Sequence, residues 1–146
     1  MTNRAKDEAL RWFTHARDEF EDADDLRKRE RFYLALFHLQ QAAEKALRAY
    51  LSLIVRSVRI YYTHSVEELV SVAAEADPDF NKVASAKKLD QYYIPTRYPN
   101  GLPGGVPSRF FDDLDEAKRA MELARSVIST VEAKLAEFSD DADPIP

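Results

Sequence analysis

An arginine held between two prolines is the residue best suited to chemistry in this chain. Residues 95–99 are Pro-Thr-Arg-Tyr-Pro, and each proline restricts its own φ and the residue before it, so Arg97 should point in a defined direction. A guanidinium held in this way can bind a phosphate through two parallel N–H bonds. Tyr98 and Tyr93 can stack on a nucleobase, and Arg109 adds a second cation. The sequence therefore predicts that a nucleotide, RNA or anion binds at Arg97, with Tyr98, Tyr93 and Arg109 beside it.

A purely structural role is the alternative for the same residues. Arg97 can form an ion pair with Asp90 or with another carboxylate, which would fix the loop that carries it. Tyr92 and Tyr93 can cover the core of the protein while their hydroxyl groups stay in water. The sequence leaves both interpretations open.

Three histidines occur, His15, His38 and His64, and histidine is the usual general base because the unperturbed pKa of an imidazole lies near neutral pH. RNA cleavage without a metal needs such a base for the ribose 2′-hydroxyl, and a cation such as Arg97 to stabilise the charge at phosphorus. His64 precedes the start of a predicted helix, where it either ties down the loop or serves as this base. His38 lies within an apolar helix and is expected to be a hydrogen-bonded interior residue. The candidate catalytic residues are therefore Arg97, Tyr98 and His64.

Several kinds of catalytic and metal site are excluded by residue type. The chain has no cysteine, which removes thiolate nucleophiles, iron–sulfur clusters and cysteine-based zinc sites. No glutamate stands three residues before any histidine, so the Glu-x-x-His pairs of di-metal helical bundles are missing. Neither a P-loop nor a GxGxxG motif occurs. We therefore expect no metal and no cofactor.

Charged residues of uncertain role occur at two further places. Glu44 and Lys45 interrupt the most apolar helix, where they form an intramolecular ion pair, a solvated stripe, or a polar contact in a cleft or at a dimer interface. The acidic run from Asp18 to Asp25 is a solvated helix face, or else it mimics nucleic acid or meets a basic partner. The sequence alone does not choose among these roles.

Outside the loop that carries Arg97, the framework that positions these residues should be helical, because helix-forming residue types dominate and only 3 glycines occur. Apolar residues recur at helical spacing over about 4–27, 31–55 and 112–138. Ser65 and Glu68 form a capping box that opens a shorter helix, and Asp77 and Pro78 open another that runs to Pro95. The prediction is an all-α fold, a single up-and-down bundle of about five helices.

The bundle should occupy residues 1–138, with a core between its long helices. Leu39, Ala43, Leu47 and Ile54 of the second helix should face Phe13, Phe20, Ala124 and Ile128. All the glycines and most of the prolines fall within residues 94–111, which should form a long loop before the last helix. Residues 139–146 lack apolar periodicity and should be a disordered acidic tail.

Charge and hydropathy restrict the partners of the chain. A formal net charge of −5 argues against a general nucleic-acid-binding surface, and hence against a DNA partner. The longest uninterrupted apolar run, residues 32–37, is far shorter than the roughly 20 residues needed to span a bilayer. Residues 1–10 are polar and show no signal-peptide core. We therefore expect a cytoplasmic protein with no membrane partner.

Three patches of the sequence resemble the HEPN domain family, small helical domains named for higher eukaryotes and prokaryotes and for a suspected nucleotide-binding role. The most specific patch is residues 37–51, Phe-His-Leu-Gln-Gln-Ala-Ala-Glu-Lys-Ala-Leu-Arg-Ala-Tyr-Leu. The others are Thr-His-Ser-Val-Glu-Glu-Leu at 63–69 and Leu-Asp-Gln-Tyr-Tyr-Ile-Pro-Thr-Arg-Tyr-Pro at 89–99. They occur in the order typical of the family, and the resemblance covers residues 10–138.

The resemblance implies a compact helical bundle that usually forms a homodimer. It also implies a frequent partner, a minimal nucleotidyltransferase, with which such proteins form a toxin–antitoxin-like pair. Many members are metal-independent ribonucleases that carry an Arg-x4-6-His motif near the end of the penultimate helix. Two such motifs then face each other across the dimer.

The chain departs from that ribonuclease motif. Arg97 stands at the matching place, but residues 102–104 are Leu-Pro-Gly and no histidine follows His64. The spacing does occur from Arg59 to His64, in the loop before the third helix, which is not the matching place. The resemblance therefore favours a homodimeric HEPN partner of a minimal nucleotidyltransferase without the usual motif. The alternatives are an RNA-cleaving toxin that uses Arg97 and a nucleotide-binding module.

Overall fold

Helices form nearly all of the secondary structure in the computed structural model, which describes residues 3–54 and 62–140. The elements are α1 (Asn3–Lys28), α2 (Phe32–Ile54), α3 (Val66–Ala76), a 3₁₀ helix termed the 3₁₀ segment (Pro78–Tyr92), a short 3₁₀ turn (Pro99–Gly101), α4 (Pro107–Phe110) and α5 (Leu114–Asp140). No strand occurs within the described ranges, so the predicted all-α fold class is confirmed. None of the described helices combines the length and the apolar character that crossing a membrane requires.

The centre of the bundle is α2, which packs mainly against α1 and α5 and also contacts α3 and the 3₁₀ segment. The predicted core residues that are buried are Phe13, Leu39, Ala43, Leu47 and Ala124. The other three, Phe20, Ile54 and Ile128, are partly buried and pack against the edge of the same core. The prediction that the second helix lies at the centre is therefore confirmed.

A tight turn without glycine or proline joins α1 to α2. Glu30 supplies the turn by adopting a φ of 60°, a left-handed conformation that glycine usually provides. Just before it, Arg27 and Lys28 both pair with Asp24, at 2.7 Å and 3.2 Å. The hydrogen bond from Arg27 is the main reason that the pKa of Asp24 is lowered. The last turn of α1 thus neutralises its own acidic side chain.

The fourth predicted helix is a 3₁₀ helix, and the spacing of its buried residues explains why. These residues recur every three positions and are Phe80, Val83, Ala86, Leu89 and Tyr92. A helix with 3.0 residues per turn keeps such a set on one face, whereas 3.6 residues per turn would spread it around the axis. Val83 departs from helical geometry, with φ −108° and ψ 17°, and kinks the segment.

A buried lysine ties the start of the 3₁₀ segment to α5. The Asp77 side chain accepts a hydrogen bond from the N–H of Asp79, and Pro78 follows it, which is the cap that the sequence predicts. Nζ of Lys134 lies 2.7 Å from Asp77 and 2.6 Å from Asp79. The hydrogen bond to Asp77 contributes most to the raised pKa of Lys134, and the same bond lowers the pKa of Asp77. Both partners therefore stay charged at neutral pH.

The connection at residues 94–111 is more ordered than the predicted long loop. It contains the Pro99–Gly101 turn and α4, and each begins at a proline, whose restricted φ suits the first position of a helix. Gly104, with a φ of 79°, turns the chain between them. At the other end, α5 passes the predicted boundary at residue 138 and reaches Asp140. Arg59 and the rest of the predicted tail, 141–146, lie outside the described residues.

Candidate functional site

Arg97 lies in the turn after the 3₁₀ segment, with its guanidinium against three aromatic rings. Its Cζ is 4.4 Å from the ring centre of Tyr93, 4.8 Å from that of Phe37 and 5.0 Å from that of Tyr98. Its Nε donates a 2.7 Å hydrogen bond to the carbonyl of Tyr93. A cation within about 6 Å of a ring centre is attracted to the negative face of the ring. These contacts fix the direction of the Arg97 side chain, which remains exposed.

Asp90 does not neutralise Arg97, because its carboxylate is bound at the start of α3. It accepts hydrogen bonds from four donors, the backbone N–H groups of Val66 (2.8 Å) and Glu67 (3.0 Å), the hydroxyl of Ser65 (3.1 Å) and the amide of Gln40 (3.2 Å). Within residues 3–54 and 62–140, Arg97 contacts rings and a carbonyl but no carboxylate. The predicted alternative of an Arg97–Asp90 ion pair is therefore wrong.

The carboxylate of Asp90 also completes the N-terminus of α3. Ser65 caps this helix by accepting a hydrogen bond from the N–H of Glu68 at 3.1 Å, as the predicted capping box requires. Asp90 accepts hydrogen bonds from the first two N–H groups of the helix, those of Val66 and Glu67. The helix dipole favours a negative charge at this position. The N-terminus of α3 is thus filled by the chain itself, and Arg97 remains an exposed cation after the 3₁₀ segment.

His64 joins the rings around Arg97 from the loop before α3. Its imidazole stacks on Tyr93, with 5.3 Å between ring centres and 16° between planes. Its Nδ1 lies 3.4 Å from Oε1 of Glu44, and its carbonyl accepts a 2.8 Å hydrogen bond from Gln40. His64 and Arg97 therefore contact the same tyrosine ring. We refer to the group as the Arg97 cluster: Phe37, His64, Tyr93, Arg97 and Tyr98.

Glu44 is a buried carboxylate that finds its partners within the chain. Its side chain is 4% exposed, and its Oε2 accepts a 3.1 Å hydrogen bond from Nε of Arg48, which is 9% exposed. The guanidinium of Arg48 also lies 6.0 Å from the ring centre of Trp12 and donates to the carbonyl of Thr63. Of the roles left open for Glu44, the intramolecular ion pair is the one observed. Because Nδ1 of His64 lies beside the same carboxylate, Glu44 also contacts the Arg97 cluster.

Lys45 and His38 meet at a second carboxylate, Glu19 of α1. Nζ of Lys45 lies 2.6 Å from Oε1 of Glu19, and Nδ1 of His38 lies 2.7 Å from Oε2. Lys45 also donates to Nε2 of His15 at 3.1 Å. Burial raises the pKa of Glu19, but the hydrogen bonds from His38 and Lys45 outweigh it and hold this pKa below its ordinary value. His38 is thus hydrogen-bonded as expected, but its side chain is 33% exposed and not interior. Lys45 ties α2 to α1.

Tyr92 belongs to the core and not to the Arg97 cluster. Its hydroxyl donates a 2.7 Å hydrogen bond to Glu116 of α5, and its ring lies edge-on to Phe111 at 5.9 Å. Burial is the largest cause of its raised pKa, and the Glu116 hydrogen bond adds to it. Its carbonyl accepts from the buried hydroxyl of Thr96 at 2.5 Å, which anchors the turn before Arg97.

The structure brings together some of the candidate residues and separates others. One cluster contains four of them, Arg97, Tyr98, Tyr93 and His64. They come from two separate segments of the sequence, residues 89–99 and 63–69. Arg109 is exposed in α4, and its side chain makes no ring contact or hydrogen bond with the cluster in the described part of the chain.

Phe37 is the member of the cluster that the sequence does not single out. The available signal is a polar stripe on α2, because Gln40, Gln41, Glu44 and Arg48 follow it at helical spacing. Three of these four, Gln40, Glu44 and Arg48, are buried, and buried polar residues on an otherwise apolar helix indicate a site rather than a core face.

An open cleft of about 360 Å³ lies beside the cluster. Its lining includes the rings of Tyr62, His64 and Tyr93 together with Ile94. Tyr62 is 79% exposed, so its ring is free to pack against a ligand. A cleft of this size has ring faces and lies near the Arg97 guanidinium, which contacts no carboxylate among the described residues. It suits a ligand that combines a planar base with a phosphate.

Comparison with known proteins gives a consistent result over most of the chain. A family model for the HEPN domain matches residues 9–134. The crystal structure of TT1696 from Thermus thermophilus is 32% identical, with a TM-score of 0.73 over 86% of this chain and 97% of that one. ST0689, an archaeal HEPN homologue, is 24% identical, with a TM-score of 0.70 over 87% of this chain and 97% of that one. Among proteins with curated descriptions, none matches.

Proposed function

This chain belongs to the HEPN domain family, and on that premise we propose that it binds a nucleotide or RNA through a phosphate held by Arg97. We further propose that it does so as the homodimeric partner of a minimal nucleotidyltransferase in a toxin–antitoxin-like pair. The observation that supports binding is the Arg97 guanidinium, which is exposed, fixed against three rings, and without a carboxylate partner among the described residues.

The chemistry of the Arg97 cluster favours a phosphate with a base attached. The stacked position of Arg97 leaves N–H groups of its guanidinium available for a phosphate oxygen, since only Nε is hydrogen-bonded to a described residue. The rings of His64 and Tyr62 line the adjoining cleft, where a base can stack. The side-chain oxygens of Asp90 already accept four hydrogen bonds, so Asp90 has little capacity to select among bases. We therefore expect recognition with little base preference.

Arg97→Ala should weaken the binding of a short single-stranded oligoribonucleotide by about 1.5–3 kcal/mol, the range for a hydrogen bond to a charged group. Arg97→Lys should recover only part of this, because lysine keeps the charge but loses the planar fork. Fluorescence anisotropy of the labelled oligonucleotide measures both. Thermal melting of the same proteins should change little, because Arg97 is exposed.

Arg11→Ala is the matched control, since Arg11 is an exposed arginine on α1 outside the cleft beside the Arg97 cluster. It should leave oligonucleotide affinity within about 0.5 kcal/mol of the parent protein. A large fall in melting temperature of Arg97→Ala with unchanged affinity would mean that Arg97 is a structural brace and would overturn the proposal.

Assembly is a separate part of the proposal and rests on the family. A two-fold dimer brings the same surface of each subunit together, so two copies of the Arg97 turn would face each other in the arrangement typical of HEPN dimers. Light scattering at micromolar concentration should give about twice the 16.7 kDa of one chain. A mass of one chain would contradict it.

The nucleotidyltransferase partner is tested most directly at the genomic level. A neighbouring reading frame for a minimal nucleotidyltransferase would support the pairing, and co-expression of the two proteins would then show whether they purify together. Absence of such a frame would count against the toxin–antitoxin part without affecting the oligonucleotide experiment.

A metal-independent ribonuclease is the second candidate function, and the shared Tyr93 ring favours it. His64 and Arg97 both contact this ring, so a candidate general base and a cation lie at one site. They do so although they lack the Arg-x4-6-His spacing of the family motif. RNA cleavage in the presence of EDTA, measured with His64→Gln and Arg97→Ala, tests it. Activity that both variants lose would establish it, and activity that survives in both would exclude this site.

A further inference from the structure

A second cleft, of about 390 Å³, lies between the last turns of α1 and the first half of α5. Its lining carries more cations than carboxylates, although the chain has a formal net charge of −5. The cations that line it are Arg27, Lys118, Arg119 and Arg125. Two carboxylates, Asp24 and Glu122, are the acidic groups in its lining. None of these residues belongs to the Arg97 cluster.

The two carboxylates are already neutralised by neighbours on their own helices. Asp24 pairs with Arg27 and Lys28 of α1. Glu122 pairs with Arg125, one turn along α5. Asp24 is the residue of the acidic run that lines the cleft, and its partners lie within α1. The acidic run therefore does not neutralise the cations of α5.

Lys118 and Arg119 pair with no carboxylate in the part of the chain that the structure describes. Both are exposed, and neither side chain makes a hydrogen bond or ion pair with any described residue. Arg119 also borders a neighbouring cleft of about 340 Å³, whose lining includes the carboxylates of Glu116 and Glu122. Glu116 accepts the hydrogen bond from the Tyr92 hydroxyl. Two adjacent cations that line the cleft thus have hydrogen-bonding capacity that the described residues do not use.

We propose that this cleft, the α1–α5 cleft, is a second phosphate-binding site for a nucleotide or an RNA strand. Arg119 offers a planar fork and Lys118 a compact charge, a combination that suits phosphate oxygens. Met121 lines the cleft beside them, and a methionine thioether packs favourably against an aromatic ring such as a nucleobase. A concave cleft of this volume can hold one nucleotide unit, whereas a protein partner usually docks on a larger and flatter surface.

Binding at the α1–α5 cleft is measured in the Arg97→Ala background, so that the Arg97 cluster does not contribute. The probes are inorganic pyrophosphate, a short oligouridylate and a polyglutamate peptide of matched charge, each followed by NMR of the labelled full chain. Pyrophosphate and oligouridylate should shift the signals of Lys118, Arg119 and their neighbours. Lys118→Gln with Arg119→Gln should weaken both by about tenfold or more. For the oligouridylate, the slope of log affinity against log salt should also fall by about 1.4, for two lost contacts on a single strand.

Arg11→Gln with Lys87→Gln is the matched control, because it removes the same charge from exposed residues outside the cleft. Equal weakening by the control would mean a non-specific charge effect and would overturn the proposal, as would the absence of shifts with both phosphate probes. Tighter binding of polyglutamate than of either phosphate probe would reassign the cleft to an acidic protein. Shifts with pyrophosphate alone would support a free nucleotide as the source of the phosphate, and shifts with oligouridylate would support an RNA strand.

Discussion

Replacing Leu47 by alanine should lower the free energy of unfolding by about 2–5 kcal/mol, the range for a large-to-small change in a packed core. Leu47 is wholly buried on α2, the helix that packs against both α1 and α5. The change removes three buried carbons and leaves a cavity whose lining loses its dispersion contacts. Urea denaturation of the parent and variant proteins measures the difference.

Leu10→Ala is the control for Leu47→Ala, because Leu10 is 51% exposed on α1. It makes the same chemical change at a site with little to lose and should cost less than about 0.5 kcal/mol. A cost below about 0.5 kcal/mol for Leu47→Ala as well would remove α2 from the centre of the fold.

Glu44→Ala should destabilise the protein by about 3–5 kcal/mol, because it leaves the buried Arg48 without its carboxylate. The two side chains are 4% and 9% exposed, so water cannot replace the lost partner easily. The carbonyl of Thr63 stays bound to Arg48 and offsets only part of the loss. Glu44→Gln should cost less, since the amide keeps one acceptor for Nε.

The double variant Glu44→Ala with Arg48→Met tests the cause. Removing both charges and filling the space with an apolar side chain should restore much of the stability, because the desolvation cost of the pair disappears with it. If Glu44→Ala melts like the parent protein, the ion pair is dispensable for stability. A polar contact of Glu44 in a cleft or at a dimer interface then becomes the better explanation.

Much of the helical framework follows from local sequence. The Ser65 and Asp77 caps are visible because a capping side chain acts within three residues of itself. The central position of α2 follows from apolar residues on several of its faces. The 3₁₀ character of residues 78–92 also has a local signal, the spacing of three between Phe80 and Tyr92, but a period of three is easily taken for one side of the 3.6-residue α-helical pattern.

The candidate site was only partly predictable, because its contacts join distant parts of the chain. The Pro-Thr-Arg-Tyr-Pro segment indicates Arg97 directly, but nothing local to it indicates Phe37 on α2 or the stacking of His64 on Tyr93. Asp90 shows the same limit. The sequence offers it as a partner for Arg97, which is seven residues away, whereas its carboxylate binds the start of α3, with Val66 24 residues away.

The four hydrogen bonds to Asp90 have a consequence for how the protein opens and closes. With 11 residues, α3 is shorter than the roughly 12–15 that give even a marginal isolated helix in water, and its first N–H groups are satisfied only when the 3₁₀ segment is docked. Helix and segment should therefore lose and regain their order together, as one cooperative unit. The turn that carries Arg97 follows directly from that segment. A phosphate bound to Arg97 would favour, by mass action, the state in which α3 and the 3₁₀ segment are docked together. It would therefore slow amide hydrogen exchange at Val66 and Glu67, although it contacts neither residue.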